Sequence, residues 1–567
     1  MTASASSSSV ASPPELLRVD LAAAGLLPPL VAALVDGRDR ELLDPLRLLP
    51  AGELPARPRT APPPDATRQA SARGELARAL EVSNRAYGHG GAERLARLLA
   101  DPAACVVVAG QQPGLFGGPL YTFSKMLAAA RWAAELEAAG EAAVAVFWVA
   151  TEDHDYSEVS SATVFTAEGA RTFDLGPDPE PLVPVGMRTL SPAVTAVLRG
   201  IAEAVPGELY AEWVRTLERW YRPDARFGEA FCRVMAHLLG PRCPLLIDAM
   251  HPALKAAQRP WLTRLVERRR QVEEALGARS AAIAACGYEP RVAAQPGASP
   301  LFLLHRGRRR RIEWREPGAT ENDAAGDAGD TGFALRGSPG GGGGVAELLR
   351  TISENPAAVS PGVLARPAVQ DAVLGSTLQV LGPGELTYMA QAAAIYPVLG
   401  VSAPWAALRP QTLVLESHQA AKLEEEGLSL ADLLGDRARL DRILAAREGG
   451  GDFVAPVRRR VEEALEELRA PAAAADVNLE RPLEKTRDQV LRALDLFAGK
   501  AVDAAARRNE VRGGRVELLR EICLPQGRPQ ERVISTSHFQ GKYGSRFAAS
   551  FWEQMSLDPT LLQVISP

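Results

Sequence analysis

The sequence has little of what membrane and secreted proteins require. Its 567 residues contain no uninterrupted apolar run long enough to span a bilayer. The first 14 residues lack a basic start followed by an apolar stretch, so we expect no secretory signal. The five cysteines are scattered, without the close pairs of a zinc site or a redox motif. These absences favour a cytoplasmic protein in a reducing compartment, away from membranes.

The sequence also lacks an excess of positive charge. Lys and Arg number 64 and Asp and Glu number 69, which gives a net charge of −5. No global positive field would therefore attract nucleic acid or anionic lipid, and we expect neither as a partner. Hydrophobic residues make up 46% and charged residues 23%, as in soluble globular proteins. The length exceeds that of a single core, so we predict a main domain that carries insertions.

Glycines, prolines and apolar runs predict five segments. These are N-terminal helices with the first half of an α/β core (1–170), an inserted region (171–355), the second half of the core (356–435), a helical arm (436–515) and a C-terminal segment returning to the core (516–567). The inserted region is predicted to contain helices at 227–239 and 260–276, a hairpin at 301–315 and a flexible loop at 316–344. The arm is predicted as two antiparallel helices, 457–469 and 483–510, whose apolar stripes suit packing or dimer formation.

A strand, helix, strand unit is predicted over residues 105–150. Residues 105–109 and 144–150 are short apolar runs of the kind buried on both faces of a parallel sheet. Between them, a helix starting at Pro119 and ending at Gly140 has apolar residues on one face. This unit, with a right-handed crossover, predicts a doubly wound α/β fold.

The turn from Gly110 to Gly118 is the first candidate wall of a binding site. It joins a strand to a helix, where exposed backbone N–H groups and the helix dipole favour an anion. The candidate ligand-binding residues here are Gly110, Gln111, Gln112, Gly114 and Lys125. Lys125 would neutralise a phosphate or carboxylate if it bends back to the mouth. The alternative is a tight turn with a solvated lysine.

The run Glu152-Asp153-His154-Asp155 is the candidate catalytic cluster. It directly follows a strand, and open α/β sheets place ligands at the carboxyl ends of their strands. His154 can exchange a proton near neutral pH. The three carboxylates could bind a substrate amine or help to hold magnesium.

A second Gly/Pro turn, Gly382-Pro383-Gly384-Glu385, is the other candidate wall. Glu385, Tyr388 and Gln391 follow on the predicted helix 385–396, and with Gly382 and Gly384 they complete the candidate binding residues. The alternative is a capped turn with a favourable glutamate at a helix start.

Two further patterns indicate structure without a binding role. Side chains alternate along 308–311, which predicts a solvated strand edge, and 340–344 is typical of a flexible linker.

The residues resemble a known family, the cysteine-adding enzymes of bacillithiol synthesis. The matching stretches are 110–122 with Lys125, 147–155, Arg366-Pro367 with Gln370-Asp371, 382–385 with Tyr388, Leu524-Pro525 with 530–532, and Tyr543-Gly544. They span most of the chain in one order. The resemblance implies a Rossmann-like nucleotidyltransferase core similar to class I tRNA synthetases, an inserted connective domain and a C-terminal antiparallel coiled-coil arm that pairs two subunits.

The resemblance also implies a ligase that joins cysteine to glucosaminyl-malate through an amide bond. Because a free carboxylate is a poor electrophile, we expect ATP to activate cysteine as an adenylate or an acyl phosphate, with ATP or ADP bound and magnesium as a further candidate ligand. His154 would act as the base for the sugar amine, with Glu152 or Asp155 orienting it. Two other readings stay open: a catalytically silent nucleotide-binding scaffold, and an RNA-binding relative of the tRNA synthetases.

Overall fold

The described part of the chain covers residues 15–55, 66–293, 295–315, 332–447, 454–506 and 510–567 of a computed structural model. Within it the chain forms two units. The first comprises residues 20–415 and 528–567, and the second comprises residues 15–19 and 416–527. No described helix combines the length and apolarity needed to cross a membrane.

All described strands lie in the first unit. They are β1 (Arg47–Leu48), β2 (Cys105–Gln111), β3 (Ala143–Val149), β4 (Ser161–Thr166), β5 (Gly169–Asp174), β6 (Leu245–Asp248), β7 (Ala298–His305), β8 (Arg308–Trp314), β9 (Gly332–Leu335), β10 (Gly342–Gly344), β11 (Val359–Pro361), β12 (Leu378–Leu381), β13 (Trp405–Leu408), β14 (Thr412–Val414) and β15 (Gln563–Ile565).

The helices are divided between the units. The first unit begins with α1 (Pro29–Val35), α2 (Ala66–Ala86), α3 (Ala92–Ala100), α4 (Leu120–Ala138), α5 (Ala193–Ala204), α6 (Glu208–Glu218), α7 (Phe227–Leu239), α8 (Pro252–Glu267), α9 (Arg269–Ala285), α10 (Val345–Glu354), α11 (Arg366–Leu374), α12 (Pro383–Ala392) and α13 (Ile395–Leu399). The second contains α14 (Ser417–Glu425), α15 (Leu430–Leu434), α16 (Arg437–Arg447), α17 (Ala455–Glu467), α18 (Arg469–Ala475), α19 (Glu480–Ala506) and α20 (Glu510–Cys523). The chain then returns to the first unit with α21 (Gln530–Val533), α22 (Thr536–Tyr543) and α23 (Ser545–Gln554).

A six-stranded parallel sheet, ordered β1-β13-β12-β2-β3-β6, is the centre of the first unit. Alternate residues of its middle strands face two separate cores: Val107 and Phe147 belong to one, Val106 and Val146 to the other. This burial on both faces explains why β2 and β3 are nearly continuous apolar runs. The predicted strand, helix, strand unit and the doubly wound fold are confirmed.

The strand order of the central sheet reverses at β2, and a ligand-binding crevice is expected at this point. The neighbours of β2, which are β3 and β12, lie on opposite sides, and the chain continues outward from each. Ligands of open α/β sheets bind beyond the carboxyl ends of the strands at such a reversal of strand order. The turns after β2 and β12 therefore face each other across the expected site.

The inserted region differs from the prediction in two places. It contributes β6, which pairs with β3 in the central sheet. The single helix predicted at 260–276 is wrong, because Pro260 lies inside α8 and a second helix, α9, follows at Arg269. The true start of α8 is Pro252, where the His251 side chain accepts a hydrogen bond from the N–H of Ala253 at 3.2 Å. The predicted helix 385–396 is likewise two helices, α12 and α13.

A five-stranded antiparallel sheet, ordered β10-β9-β8-β7-β11, contains the predicted hairpin of β7 and β8. Of the predicted flexible loop, residues 316–331 lie outside the described residues. The linker prediction is wrong for Gly342–Gly344, which form β10 against β9. Gly342 has φ 151°, and a Cβ there would meet the Phe333 carbonyl oxygen, so only glycine fits this pairing.

The second unit is helical throughout its described secondary structure, and α17 and α19 run antiparallel. Arg458, early in α17, pairs with Asp495, late in α19, at 3.2 Å, whereas Leu465 lies beside Leu483 at the start of α19. Several apolar side chains on these helices remain open to solvent, among them Leu468 at 51% and Phe497 at 54% exposure.

Candidate active site

A cavity of about 480 Å³ lies at the carboxyl edge of the central sheet. One wall comes from the ends of β2 and β3 and includes Gly110, Gln111 and Gln112 with residues 152–155. The opposite wall comes from β8 and from the first turns of α11 and α12. The structure therefore brings the three predicted motifs together around one space.

Asp153 is the centre of a hydrogen-bonded cluster in this cavity. The Gln112 amide Nε2 donates to Asp153 Oδ2 at 2.7 Å, and the His154 main-chain N–H donates to Asp153 Oδ1 at 2.7 Å. The guanidinium of Arg309 lies 3.6 Å from the same oxygen. Burial alone would raise the pKa of Asp153, but these partners together lower it. Asp153 is thus held as a carboxylate with a hydrogen bond on each oxygen.

His154 is held in one protonation state by Arg309. Arg309 Nη1 donates to His154 Nδ1 at 3.3 Å, and a guanidinium can only donate. Burial and the charge of Arg309 lower the pKa of His154, so the ring is neutral at pH 7 and carries its proton on Nε2. In this arrangement the ring offers a donor. The side-chain neighbours of His154 are Arg309 and Asp153, whose Oδ1 lies 3.7 Å from Nδ1, and the predicted role of His154 as a base stays a prediction.

Glu152 is already paired inside the protein. Lys255 Nζ donates to Glu152 Oε2 at 2.6 Å, and both side chains are almost fully buried. Breaking such a pair would leave an uncompensated charge. Glu152 therefore anchors α8 beneath the cavity. Part of Glu152 also lines the cavity.

Asp155 and Glu158 are the exposed carboxylates of the cavity. Asp155 Oδ1 accepts a hydrogen bond from Ser157 Oγ at 2.7 Å. Partial burial and the charges of Asp155 and Asp153 raise the pKa of Glu158 above its usual value. A raised pKa makes Glu158 a candidate general base, since such a group works best when its pKa approaches the working pH.

The first turn does not present the free N–H groups that the sequence predicted. The N–H groups of Gly114, Leu115, Gly117 and Gly118 each donate to a main-chain carbonyl at 2.9–3.2 Å. A Cβ on Gly114 would lie 2.6 Å from Gly118 Cα, so this part of the turn is folded tightly on itself. The anion-holding prediction is wrong for these four groups, and Gly114 does not line the cavity.

Lys125 supports the crevice from below. Its Nζ donates to the Gly110 carbonyl at 2.6 Å and pairs with Glu385, and the side chain is 1% exposed. Burial lowers the pKa of Lys125 to about 8, although Glu385 opposes this effect. The carboxylate that Lys125 neutralises is therefore Glu385 of the protein, which also accepts the Gly382 N–H at 2.7 Å.

The second wall is only partly as predicted. Glu385 and Tyr388 line the cavity, whereas Gly382 and Gly384 lie in the turn and first helical positions beside it. The Gln391 amide is fully engaged, since it accepts from the Val292 N–H at 2.9 Å and donates to Ser280 and to the Val292 carbonyl. Gln391 borders a separate cavity of about 220 Å³.

Three arginines of the cavity, Arg309, Arg311 and Arg366, are not among the predicted site residues, although Arg366 belongs to a stretch that carries the family resemblance. The alternation along 308–311 predicts a solvated strand edge, and this prediction is wrong for Arg309, which is 7% exposed. In the structure Arg309 and Arg311 share the face that lines the cavity, and Arg308 and Arg310 point the other way. Among the described residues, no group of three or more His, Cys, Asp or Glu side chains is arranged to hold a metal ion.

Together these features define the class: a Rossmann-like α/β protein with a charged cavity at the carboxyl edge of its sheet and a separate helical unit. Family comparison agrees. Residues 63–410 match the model "Bacillithiol biosynthesis BshC, N-terminal Rossmann-like domain", and residues 412–559 match "Bacillithiol biosynthesis BshC, C-terminal coiled-coil domain".

Relatives are similar over most of the chain. A protein of Solibacter usitatus is 30% identical over 467 residues, covering 82% of this chain and 84% of its own. One of Thermus thermophilus is 31% identical over 468 residues, with 81% and 89% covered, and one of Salinibacter ruber is 28% identical over 474 residues, with 82% and 84% covered. Each carries the name "Putative cysteine ligase BshC". The chain belongs to the bacillithiol biosynthesis BshC family, which confirms the predicted family, the Rossmann-like core and the coiled-coil arm.

Proposed function

We propose that this protein is a cysteine ligase, which forms an amide bond between the carboxyl group of cysteine and the amine of glucosaminyl-malate. The observation that carries the proposal is the Asp153, His154 and Arg309 cluster at the reversal point of a Rossmann-like sheet. Membership of the family and the name of the relatives support a cysteine ligase of bacillithiol biosynthesis.

A nucleotide is proposed as the activating co-substrate, because amide formation needs a leaving group on the cysteine carboxylate. ATP would supply that leaving group. Arg366 suits its negative charge: the guanidinium donates to Gln370 Oε1 and to the Tyr388 hydroxyl, each at 3.0 Å, and both partners are neutral. Burial alone would lower the pKa of Arg366, but Tyr388 and the charges of Glu385 and Glu152 raise it, so the guanidinium stays charged beside the cavity and can bind an anionic group.

Magnesium is proposed only as an ion that would arrive with the nucleotide. Mg²⁺ is commonly bound by one or two carboxylates together with substrate phosphates. The exposed carboxylate of Asp155 is the group of this cavity that suits that role.

The chain's own residues have distinct roles in the proposed reaction. The amine nitrogen attacks the activated acyl carbon, the C–N bond forms, and the bond from that carbon to the leaving oxygen breaks with its electron pair. His154 Nε2–H would donate a hydrogen bond to the acyl oxygen as negative charge develops there. Glu158 would accept the proton that the amine loses.

A homodimer through the helical unit is also proposed. The exposed apolar side chains of Leu468, Leu496 and Phe497 support it, since isolated coiled-coil helices bury such residues against a partner helix. Light scattering after gel filtration should give twice the chain mass. A monomer at micromolar concentration would contradict this part of the proposal.

The direct test of the nucleotide step is to measure ATP consumption with each substrate omitted in turn. Consumption should require cysteine, and the products should be AMP and pyrophosphate for an adenylate or ADP and phosphate for an acyl phosphate. Unchanged ATP in a reaction that still forms the amide would overturn the nucleotide proposal. ATP hydrolysis that is independent of cysteine would overturn cysteine as the activated substrate.

A further inference from the structure

Two cavities of the first unit share a wall. The candidate active-site cavity and the 220 Å³ cavity are both lined by Phe302, Arg311, Gly362 and Val363. The smaller cavity is mostly apolar, with Leu276, Val292 and Leu364 among its lining residues. Arg311 is the one guanidinium among the described residues that borders both spaces.

The side chain of Arg311 has no polar partner in the described part of the chain. Its neighbour on the same strand face, Arg309, donates to Ser360 Oγ at 2.9 Å, to the Pro361 carbonyl at 3.1 Å and to His154. The guanidinium of Arg311 instead lies only over the Phe302 ring, 5.6 Å from its centroid. Partial burial and the like charge of Arg336 lower the pKa of Arg311 from its usual value, although the charge of Glu313 opposes this effect.

The Arg311 guanidinium borders two open cavities, so its donors are accessible to a group that enters either space. The common partner of such a group in a binding cavity is a carboxylate or a phosphate, which it can bind through two parallel hydrogen bonds. The position of Arg311 therefore calls for an anionic group of a ligand that occupies the cavity.

We propose that Arg311 binds a carboxylate of the amine substrate, at the malyl end of glucosaminyl-malate, and so determines specificity for an acidic acceptor. This inference rests on the proposed function. Arg309 and Arg311 are two residues apart on β8, which separates them by about 6.5 Å along the strand. Because the amine of a glucosaminide is on the carbon next to the glycosidic carbon, an acceptor whose carboxylate meets Arg311 would place its amine within a few bond lengths of that end, on the Arg309 and His154 side of the cavity.

Nucleotide phosphate is the other source of the same chemistry. Phosphate suits Arg366 better than Arg311. Arg366 lies on the opposing α11 beside Glu385 and Tyr388, and its hydrogen-bond partners, Gln370 and Tyr388, are neutral. The two sources are separable by experiment, since only the acceptor carries carboxylates on a sugar.

The test compares binding by isothermal titration calorimetry in the absence of cysteine, so that no turnover is needed. The variants are Arg311→Gln, Arg311→Lys and, as a matched control, Arg308→Gln, whose side chain is exposed on the other face of the same strand. The probes are glucosaminyl-malate, methyl glucosaminide, which has no carboxylate, and ATP. Circular dichroism checks that each variant is folded.

Arg311→Gln should raise the Kd for glucosaminyl-malate at least tenfold, Arg311→Lys should raise it less, and Arg308→Gln should leave it within twofold. The Kd values for methyl glucosaminide and ATP should not change. Wild-type affinity of Arg311→Gln for glucosaminyl-malate would overturn the inference, and so would an equal loss of ATP affinity, which would assign Arg311 to phosphate. If the wild-type protein binds glucosaminyl-malate through Arg311 but forms no amide, the proposed function fails while this inference stands.

Discussion

Arg309 Nη1 donates to Nδ1 of His154 across 3.3 Å, and this contact joins β8 to the loop after β3. Because the arginine cannot accept a hydrogen bond, it fixes the neutral tautomer of the histidine with the proton on Nε2. A histidine of this kind can stabilise a developing oxyanion, but it has no free acceptor with which to remove a proton. The sequence pattern alone allows His154 to be either a base or a hydrogen-bond donor to an oxyanion. The contact with Arg309 favours the donor role.

Replacement of His154 distinguishes these roles. Glutamine keeps an N–H donor but cannot act as a base, whereas alanine removes both. We expect His154→Ala to lower kcat about 10²–10³-fold, the usual effect of removing an oxyanion donor, and His154→Gln to retain at least tenfold more activity than the alanine variant. Amide formation at saturating substrate is the measurement. Equal loss in both variants would contradict the donor role.

Glu158 is expected to set the acid limb of the pH profile. As the proposed base it must be deprotonated, so kcat/KM should fall as the pH drops through its raised pKa. Glu158→Gln should lower kcat about 100-fold and remove that limb. Glu168→Gln, an exposed glutamate in the turn between β4 and β5, is the control and should keep the wild-type profile. An unchanged acid limb in Glu158→Gln would exclude this residue as the base.

The buried pair of Lys125 and Glu385 should matter for stability. Lys125→Met leaves the Glu385 carboxylate without its charged partner and the Gly110 carbonyl without its donor, and removing one partner of a buried pair costs about 3 kcal/mol. Urea denaturation should show this loss. The surface pair of Arg85 with Glu81 gives the control, because Arg85→Met should change the free energy of unfolding by less than about 1 kcal/mol.

A double variant tests the reason for that loss. Glu385→Gln added to Lys125→Met removes the unpaired charge while keeping a similar shape. We expect it to recover part of the stability. If the double variant loses more free energy of unfolding than the two single variants lose together, the charge explanation is contradicted.

His89 is expected to make stability depend on pH. Its Nδ1 accepts the Gly91 N–H at 3.0 Å and its Nε2 faces two main-chain carbonyls, so the folded protein requires the neutral ring. Burial lowers the pKa of His89 below that of the unfolded chain, so the unfolded state binds the extra proton as the pH falls below about 6.5. His89→Gln should therefore destabilise the protein more at pH 7.5 than at pH 5.5. An equal loss at both pH values would contradict this account.

The sequence predicted the core well because local pattern and environment agree there. Strands β2 and β3 are buried on both faces, so their apolar runs are unambiguous, and the loop 152–155 follows β3 directly. What surrounds His154 could not be predicted in the same way. Arg309 is 155 residues away and reaches His154 only because β8 of another sheet forms the opposite cavity wall.

The anion site predicted for the turn after β2 is wrong for a similar reason. Its glycines are typical of an anion site, but the Gly118 carbonyl accepts from Thr536 and the Phe116 carbonyl accepts from Ser537 Oγ, both on α22. Those contacts come from a segment more than 400 residues later. Lys125 was likewise expected to meet a ligand, but the protein supplies its carboxylate from α12.

The most direct test of the central claim is mass spectrometry of the product formed from cysteine, glucosaminyl-malate and ATP. The account predicts a thiol product whose mass equals the sum of cysteine and glucosaminyl-malate less one water. The product should be lost when ATP is omitted and should be reduced about 10²–10³-fold in His154→Ala. Absence of this product from a folded wild-type protein, with all three substrates present, would contradict the account.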